Sequence, residues 1–285
     1  MHMARSLHRA GMLRACWNRS VDKAAALAAE TGCDVATDPG ALARVSDVVV
    51  SCVSADADVL AVVDALKREA HRGLSVIDCS TVSAETAREA ERRLAPEGAA
   101  FLDCPVSGGV EGARDATLAI MCGGSPEAFE RVRPLLEKMG RTVTHVGPVG
   151  FGQSTKATNQ IMCAGIIESV SEAMAFARAQ GLPLEKIVDT LGKGAGSSWY
   201  FVHRAPNMVR GAYPAGFRVR LHEKDLTICR DMAARFGVAL PVVERMLGEY
   251  AELVSRGYGD EDISSTFRLK AELFEQAKKT NNGSK

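Results

Sequence analysis

The sequence GFGQSTKATNQIMCAGIIESVSEAMAFARAQ, residues 150–180, decides the fold of this chain. Two glycines precede an uninterrupted helical pattern of about eight turns, at ~3.6 residues per turn, and Gly181 follows its end. Small or apolar side chains occupy nearly every side of this pattern, which is typical of a helix buried inside a protein. The stretch therefore predicts one long buried helix in the second half of the chain.

Lys156 is unusual because it places a charge in the first turns of that apolar helix. Asn159 at i+3 and Gln160 at i+4 share its face, and Cys163 and Ile167 continue the face as an apolar stripe. A lysine near a helix end often extends its amine to solvent along such a stripe. The alternative is a functional amine held away from water, and this helix alone leaves both interpretations open.

The composition is that of a globular protein without net charge. Hydrophobic residues make up 46% of the 285-residue chain, enough for a sizeable core in one large or two ordinary domains. Lys plus Arg and Asp plus Glu both number 35, so no basic field favours nucleic acid as a partner. No apolar run approaches the ~20 residues of a membrane span, so we do not expect a membrane partner.

Eight cysteines are scattered singly along the chain, without any C-x-x-C pair. Single cysteines within strand-like runs usually behave as small buried hydrophobic residues. Their number indicates a reducing compartment. We therefore expect a cytoplasmic protein that contains neither a metal site nor a disulfide.

Short apolar runs alternate with helical segments from residue 12 to residue 146. Asp38 and Ser125 suit helix N-caps, because each precedes a proline that suits a first helical turn. This alternation predicts an α/β fold, a Rossmann-type doubly wound parallel sheet that binds its ligand at the carboxyl ends of its strands. The predicted strands are 12–17, 47–53, 74–79, 99–103, 117–122 and 142–146; the predicted helices are 1–10, 21–31, 39–44, 56–68, 83–94 and 126–139.

Beyond Gly150 the pattern contains only helical segments. We therefore predict a dinucleotide-binding domain at 1–148 and an all-helical domain, for substrate binding and oligomerisation, at 149–285. The apolar faces of the second domain, above all 161–176, are too extensive for one subunit to cover, which favours a homodimer or homotetramer. Its predicted helices after the long one are 184–191, 199–209, 221–236, 241–255 and 263–278.

Asn18, Arg19 and Ser20 follow the first apolar strand. In a dinucleotide-binding fold the end of this strand meets the adenosine ribose, where an acidic residue binds the diol and an arginine suits a 2′-phosphate. Arg19 therefore favours NADP over NAD as the cofactor. A solvated surface arginine is the alternative at this position.

Two further strand ends carry residues that we assign to the cofactor. Ser80 and Thr81 follow the strand 74–79, at the ligand edge of the predicted sheet. Thr81 or Ser83 could instead simply cap the following helix. Val53 ends the strand 47–53 and belongs to the same set.

The run DCPVSGG, residues 103–109, combines a hydroxyl with two glycines at the end of another strand. Glycines remove side chains, so Ser107, Gly108 and Gly109 would let a small carboxylate approach the backbone N–H groups closely. A plain glycine-rich turn is the alternative. This run indicates a substrate site only in combination with the other patterns.

Together these patterns resemble the β-hydroxyacid dehydrogenase family, which includes 3-hydroxyisobutyrate dehydrogenases and tartronate semialdehyde reductases. The resemblance covers essentially the whole chain, although the length excludes the longer helical domain of the related sugar-phosphate enzymes such as 6-phosphogluconate dehydrogenase. It implies an oxidoreductase with an N-terminal Rossmann domain and an all-helical C-terminal domain. The matching patterns are Met3-Ala4-x-x-Leu7-x-x-Ala10-Gly11, Asn18-Arg19-Ser20, the run 103–109, Gly150-x-Gly152-x-x-x-Lys156-x-x-Asn159-Gln160 and His222-x-Lys224-Asp225-Leu226.

The resemblance also implies roles for the residues of the substrate site. Lys156 resembles the catalytic proton donor and acceptor, and Asn159 resembles the residue that orients the substrate beside it, with Gln160 as a neighbouring candidate. The run Ser107-Gly108-Gly109 would hold the substrate carboxylate.

For the cofactor, the resemblance places Ser80 and Thr81 near the nicotinamide. Lys224 resembles the cofactor-proximal lysine that the helical domain supplies. A lysine suits proton transfer at Lys156 if burial and a nearby cation lower its pKa from ~10.4 toward working pH.

One departure from the family concerns the beginning of the sequence. The family begins with a strand and a G-x-G-x-x-G fingerprint that holds the pyrophosphate at a helix N-terminus, whereas this sequence begins immediately after the place where the third glycine would stand. We expect a true start ~10–15 residues upstream, the length of one strand and its turn. The alternative is a non-catalytic relative, an oligomerising or ligand-sensing protein that has lost the phosphate loop.

Overall fold

The computed structural model describes the backbone of residues 1–282 and the side chains of residues 1–279. The chain divides into two compact units, Met1–Lys156 and a second that begins at Ala157. Unit 1 contains helices α1 (His2–Arg9), α2 (Val21–Thr31), α3 (Pro39–Val45), α4 (Asp56–Lys67), α5 (Ala84–Leu94), α6 (Gly109–Arg114) and α7 (Pro126–Leu136). Its strands are β1 (Ala15–Cys16), β2 (Asp34–Val35), β3 (Val48–Ser51), β4 (Ser75–Asp78), β5 (Ala100–Asp103), β6 (Val106–Ser107), β7 (Leu118–Gly123) and β8 (Gly140–Gly147).

The main sheet of unit 1 has six strands in the order β3-β4-β5-β7-β6, with β8 also paired to β7. The pairs β3–β4, β4–β5 and β7–β8 are parallel, whereas β7 runs antiparallel to β5 and β6. Strands β1 and β2 form a separate parallel pair. The predicted Rossmann-type α/β fold is confirmed.

Both faces of the main sheet are covered, as the continuous apolar strands predict. Successive residues of β4 enter different cores, because side chains alternate across a strand: Val76 packs with α4 and α5, and Ile77 with α7. Phe101 and Leu102 of β5 divide between the two cores in the same way. The sheet is therefore the middle layer of unit 1.

Two short strands were missed by the sequence analysis. β2 is exposed and pairs only with β1. β6 lies where a glycine-rich turn was one interpretation of the sequence, and its Ser107 pairs with Ala119 of β7. Both strands are two residues long and owe their structure to a partner strand, which local sequence patterns do not reveal.

The predicted caps of α3 and α7 are confirmed. The Asp38 carboxylate accepts a hydrogen bond from Ala41 N at 3.0 Å, and the Ser125 hydroxyl accepts one from Ala128 N at 3.2 Å. At α5 the cap is Ser83, whose hydroxyl accepts from Thr86 N at 3.1 Å. Of the two cap candidates in the sequence, Thr81 and Ser83, the structure therefore shows Ser83 as the cap.

The helix α8 (Phe151–Ala179) begins in unit 1 and continues into unit 2, within a residue of its predicted bounds at each end. The helices that follow are α9 (Leu184–Leu191), α10 (Trp199–Arg210), α11 (Val219–Ala234), α12 (Pro241–Ser255) and α13 (Phe267–Asn282). Their apolar faces form one core that includes Tyr250 and Phe267. Among the described residues, no helix is long and apolar enough to cross a membrane.

The prediction of one helix at 263–278 is wrong at its beginning. Residues Ile263–Thr266 form a 3-10 helix, capped by Asp262, whose carboxylate accepts from Ser264 N at 3.0 Å. The same buried carboxylate lies 3.3 Å from Arg204 Nε. Arg204 is therefore a buried charge, since only 8% of its side chain is exposed.

Candidate active site

Lys156 lies in the second turn of α8, and its side chain is buried, with 7% of the residue exposed. Its Nζ donates a hydrogen bond to the carbonyl oxygen of Val106 at 2.9 Å. The interpretation of a lysine extending to solvent is therefore wrong. Because Val106 precedes Ser107 in β6, the amine is held beside the strand that carries the predicted carboxylate-binding run.

The first turn of α8 is fastened to the end of β5 by Asp103. The buried carboxylate accepts hydrogen bonds from Gly150 N and Gln153 N, both at 2.8 Å. Burial raises the pKa of Asp103 to about 6, although these two N–H groups favour its ionised form. The approach is close enough to require glycine: a Cβ on Gly152 would lie 2.3 Å from Asp103 O and 2.6 Å from Met121 O.

Ser80 and Thr81 form the turn that follows β4. The Ser80 hydroxyl donates to Asp78 Oδ1 at 2.6 Å and accepts from Val53 N at 2.8 Å, so the ends of β3 and β4 are joined here. Burial raises the pKa of Asp78 to about 6, which the hydrogen bonds from Ser80 oppose. The structure thus brings together Val53 and Ser80, two of the residues assigned to the cofactor.

Gln153 was missed by the sequence analysis, although it lies three residues before Lys156. It is 1% exposed, and its amide spans the turn after β4: Nε2 donates to Ser80 O at 2.9 Å, and Oε1 accepts from Val82 N at 3.1 Å. The i, i+3 spacing from Lys156 was the available signal, because residues three apart share one helix face. Gln153 therefore connects the turn after β4 to the helix that carries Lys156.

The Asn18-Arg19-Ser20 turn follows β1 and is exposed. Asn18 Oδ1 accepts from Ser20 N at 2.8 Å, a local turn that leaves the Arg19 guanidinium projecting outward. The side chain of Arg19 is 82% exposed and forms an ion pair with Asp58 of α4 at 3.1 Å. The guanidinium of Arg19 is therefore an accessible cation at the end of β1.

The predicted carboxylate-binding run spans the junction of β6 and α6: Ser107 ends β6, Gly108 follows it, and Gly109 begins α6. Gly108 has φ of +131° and Gly109 has φ of +67°, backbone conformations that favour glycine. A Cβ on Gly108 would lie 3.3 Å from Leu118 Cδ2. The glycines are therefore required by the path of the backbone itself, in addition to the open approach that we predicted for them.

In unit 2, four polar residues form one connected chain of hydrogen bonds. Asn159 Nδ2 donates to Gln160 Oε1 at 2.8 Å, and Gln160 Nε2 donates to Asp225 Oδ2 at 2.7 Å. Lys224 Nζ lies 3.0 Å from Asp225 Oδ1. Asp225 thus brings together three residues predicted for the site, Asn159, Gln160 and Lys224. Asp225 itself was part of a sequence motif but had no predicted role.

The family profiles agree with this architecture. The profile of the NAD-binding domain of 6-phosphogluconate dehydrogenase matches residues 1–147. The profile described as the NAD-binding region of NADP-dependent 3-hydroxyisobutyrate dehydrogenase matches residues 150–270. Between them the two matches cover nearly all of the described chain.

Individual proteins are also similar to this chain over most of its length. An uncharacterised oxidoreductase of Shewanella frigidimarina is 36% identical over 252 residues, 87% of each chain. The mitochondrial 3-hydroxyisobutyrate dehydrogenase of Drosophila melanogaster is 32% identical over 282 residues, 96% of this chain and 87% of that one. A crystal structure of a 3-hydroxyisobutyrate dehydrogenase from Salmonella typhimurium superposes with a TM-score of 0.85, at 32% identity and 94% and 95% coverage of this and that chain. The chain belongs to the β-hydroxyacid dehydrogenase family.

Proposed function

We propose that this protein is an NAD(P)-dependent dehydrogenase or reductase of a small β-hydroxy acid or semialdehyde acid, with Lys156 as its general acid and base. One observation carries the proposal: a lysine is buried at the head of α8, and its amine is held at the strand that leads into Ser107. Burying a cation is costly unless it is bonded. A buried amine at the ligand edge of a sheet is therefore a strong candidate for a functional group.

The roles of the neighbouring residues follow from proton transfer at Lys156 Nζ. The nicotinamide, when bound, supplies or removes the hydride at the carbinol carbon. Lys156 gives a proton to the substrate oxygen in reduction and takes it back in oxidation, and the protonated amine stabilises negative charge that develops on that oxygen. Ser107, Gly108 and Gly109 bind the substrate carboxylate, and Asn159 orients the substrate one helical turn beyond the lysine.

For Gln160 we retain the substrate-binding assignment as a proposal, with a supporting role through Asn159. Its Oε1 accepts from Asn159 Nδ2, so it determines which way the Asn159 amide faces. Asp225 in turn fixes the orientation of the Gln160 amide, because a carboxylate accepts only from the nitrogen end.

We propose NADP rather than NAD as the preferred cofactor. The exposed guanidinium of Arg19 supports this, because an arginine at the end of this strand can bind a 2′-phosphate bidentately. Asn18 and Ser20 complete the adenosine side, while Val53, Ser80 and Thr81 line the nicotinamide side. Lys224 belongs to the cofactor site as the lysine that the helical unit supplies.

The alternative is a non-catalytic relative that oligomerises or senses a ligand. Such a protein gains nothing from a buried lysine or from a polar chain such as Asn159–Gln160–Asp225, so their presence favours the enzyme. Titrating the chain with NADPH and with NADH, followed by nicotinamide fluorescence, tests binding. A parallel titration with an N-terminally extended chain tests the expected upstream start.

A screen of small hydroxy acids and semialdehydes with both cofactors then tests turnover. We expect micromolar binding of NADPH, tighter than that of NADH, and oxidation or reduction of at least one short carboxylate substrate. Binding without turnover of any of these compounds would favour the ligand-sensing alternative, and absence of dinucleotide binding by either chain would refute the enzyme.

We also propose a homodimer or homotetramer formed through the helical unit. Met162 and Phe176 are large apolar side chains of α8, yet 63% and 52% of their surfaces, respectively, are exposed. Contact with another subunit would bury them. Light scattering at micromolar concentration should give a multiple of the 30.4 kDa chain mass, and a monomer would contradict the proposal. The eight free cysteines support a reducing location, and we place the protein in the cytoplasm.

A further inference from the structure

Gln153 occupies a position that neither its burial nor helix formation explains. Its side chain extends from the first turn of α8 and forms hydrogen bonds with the backbone of a different element, the turn 80–82 that follows β4. The amide satisfies both the carbonyl of Ser80 and the N–H of Val82, on either side of Thr81. A glutamine amide has one donor end and one acceptor end, so this pair of bonds fixes its orientation as well as its place.

The backbone of Gln153 is bound as firmly as its side chain. Gln153 N donates to Asp103 Oδ2 at the end of β5, and Gly152 packs so closely on β5 that a Cβ would not fit. The ends of β4 and β5 are neighbours in register, with Asp78 opposite Asp103. Gln153 therefore joins the head of α8 to two adjacent strand ends, one by its main chain and one by its side chain.

Lys156 lies three positions after Gln153 in the chain, and its amine is directed by the same first turns of α8. We propose that Gln153 is a positioning residue: it holds the turn 80–82 at a fixed place relative to the Lys156 amine, so that a nicotinamide lying on that turn presents its reactive carbon to a substrate that Lys156 protonates. This inference rests on the proposed function, because it assigns to the turn and to Lys156 the two halves of one reaction. Loss of such alignment by ~1 Å can reduce turnover by ~100-fold.

Amide exchange gives a test that does not depend on activity. In Gln153→Met, which keeps the length of the side chain and removes both bonds, we expect the Val82 N–H to exchange at least about tenfold faster. The Gln153 main-chain N–H should remain protected by Asp103, which shows that α8 still begins correctly. Unchanged exchange at Val82 would overturn the proposal.

Thr86→Val is the matched control. It removes a part-buried hydrogen bond in unit 1, from Thr86 Oγ1 to Asp56 at 2.7 Å, and the bond that Thr86 Oγ1 accepts from Ser83 at 2.9 Å. Neither bond involves α8 or the turn 80–82. We expect Gln153→Met to lower kcat by about 10- to 100-fold with a smaller change in NADPH affinity, whereas Thr86→Val lowers stability with kcat within about twofold. Equal effects of the two variants on kcat would show that Gln153 is merely structural, and would overturn the proposal.

Gln153→Glu adds a signature that general destabilisation cannot imitate. An ionised glutamate accepts from Val82 N but repels Ser80 O, whereas a protonated glutamate donates to Ser80 O and restores both bonds. The ratio of variant to wild-type kcat should therefore rise as pH falls, and a ratio independent of pH would contradict positioning by these bonds.

The proposed function and this inference fail in different ways. If the wild-type chain neither binds dinucleotide nor turns over a carboxylate substrate, the proposed function fails. If the wild type is active while Gln153→Met retains its full kcat, only the positioning role is lost.

Discussion

Buried acidic residues are stabilised differently in the two units. In unit 1, Asp78 accepts from the Ser80 hydroxyl, and Asp103 accepts from two backbone N–H groups. In unit 2, the buried Asp262 also accepts from Ser264 and from two backbone N–H groups, but in addition it faces the Arg204 guanidinium at 3.3 Å. Neutral donors only partly offset the burial of a carboxylate, whereas a paired cation favours its charge directly. This explains why the pKa values of Asp78 and Asp103 are both raised to about 6.

The buried lysines differ in the same way. Lys270 of unit 2 is 2% exposed and forms ion pairs with Glu168, at 2.6 Å, and with Glu249. Lys156, the one buried lysine or arginine within the described residues of unit 1, has its amine on the backbone oxygen of Val106. We infer that the ion pairs in unit 2 serve stability, whereas in unit 1 the pKa values of the buried carboxyls Asp78 and Asp103 are raised to about 6.

The largest expected difference is between the two lysines. Replacing Lys156 by Met retains the apolar stem and removes the amine, and we expect kcat to fall by about 10³-fold or more because the proton donor is lost. NADPH affinity should stay within a few-fold. Steady-state rates and fluorescence titration measure the two quantities. A variant that keeps a tenth of the wild-type kcat would remove Lys156 from the mechanism.

The matching substitution in unit 2 should act on stability instead. Lys270→Met removes the buried cation that Glu168 and Glu249 share and leaves them only the exposed Arg245, so we expect the free energy of unfolding to fall by about 3 kcal/mol. The kcat of the folded fraction should be unchanged. Arg245→Met is the control: it removes an exposed cation from the same Glu168 and should cost less than about 1 kcal/mol. If urea denaturation gave equal losses of unfolding free energy for Lys270→Met and Arg245→Met, the proposed stabilising role of the buried ion pairs would be contradicted.

The raised pKa values in unit 1 predict a specific dependence of stability on pH. The folded state holds the protons of Asp78 and Asp103 up to about pH 6, whereas the unfolded chain releases them near pH 4. Stability from these groups is therefore complete below about pH 4 and is lost as pH rises to about 6, by up to about 3 kcal/mol per carboxyl. Urea unfolding across this range measures the slope.

Asp78→Asn should flatten that slope by roughly half, since it removes one of the two titrating groups. Asp56 supplies a control of opposite sign. Burial opposes its ionisation, but hydrogen bonds from Thr86 and Ser83 outweigh burial and lower the pKa of Asp56. Its contribution is present above about pH 4 and is lost as pH falls further, so Asp56→Asn should change stability below about pH 4 and leave the decline between pH 4 and 6 nearly unchanged. If Asp78→Asn left the slope between pH 4 and 6 unchanged, other groups would control it.

Much of the fold was accessible from the sequence because it depends on local patterns. Helices α2, α9 and α12 have the predicted bounds, and the predicted caps at Asp38 and Ser125 are the observed ones. Apolar periodicity and capping act over a few residues, which a single sequence displays. Pairings between distant segments, such as β6 with β7 or Arg204 with Asp262, leave no comparable local signal.

The residues of the candidate site also differ in whether a local sequence pattern reveals them. Lys156 was noticeable because a charge interrupts an apolar helix, and Ser107–Gly109 because glycines cluster after a strand. Gln153 is an ordinary polar residue near a helix end, and its contacts lie 71 and 73 positions away in the chain. The partners of such a residue are created by the fold, so its importance becomes visible only in three dimensions.

The smallest expected difference concerns two helical glycines. A Cβ on Gly152 would lie 2.3 Å from Asp103 O, whereas one on Gly248 of α12 would meet nothing within 4 Å. Gly152→Ala must push α8 away from β5, and we expect a loss of about 1–3 kcal/mol together with reduced kcat, because the same turn directs Lys156. Gly248→Ala should instead gain about 0.5–1 kcal/mol, because alanine favours a helix. Denaturant midpoints of the two variants should therefore move in opposite directions. If Gly152→Ala changed neither stability nor kcat, the close packing of α8 against β5 would not be required to position Lys156.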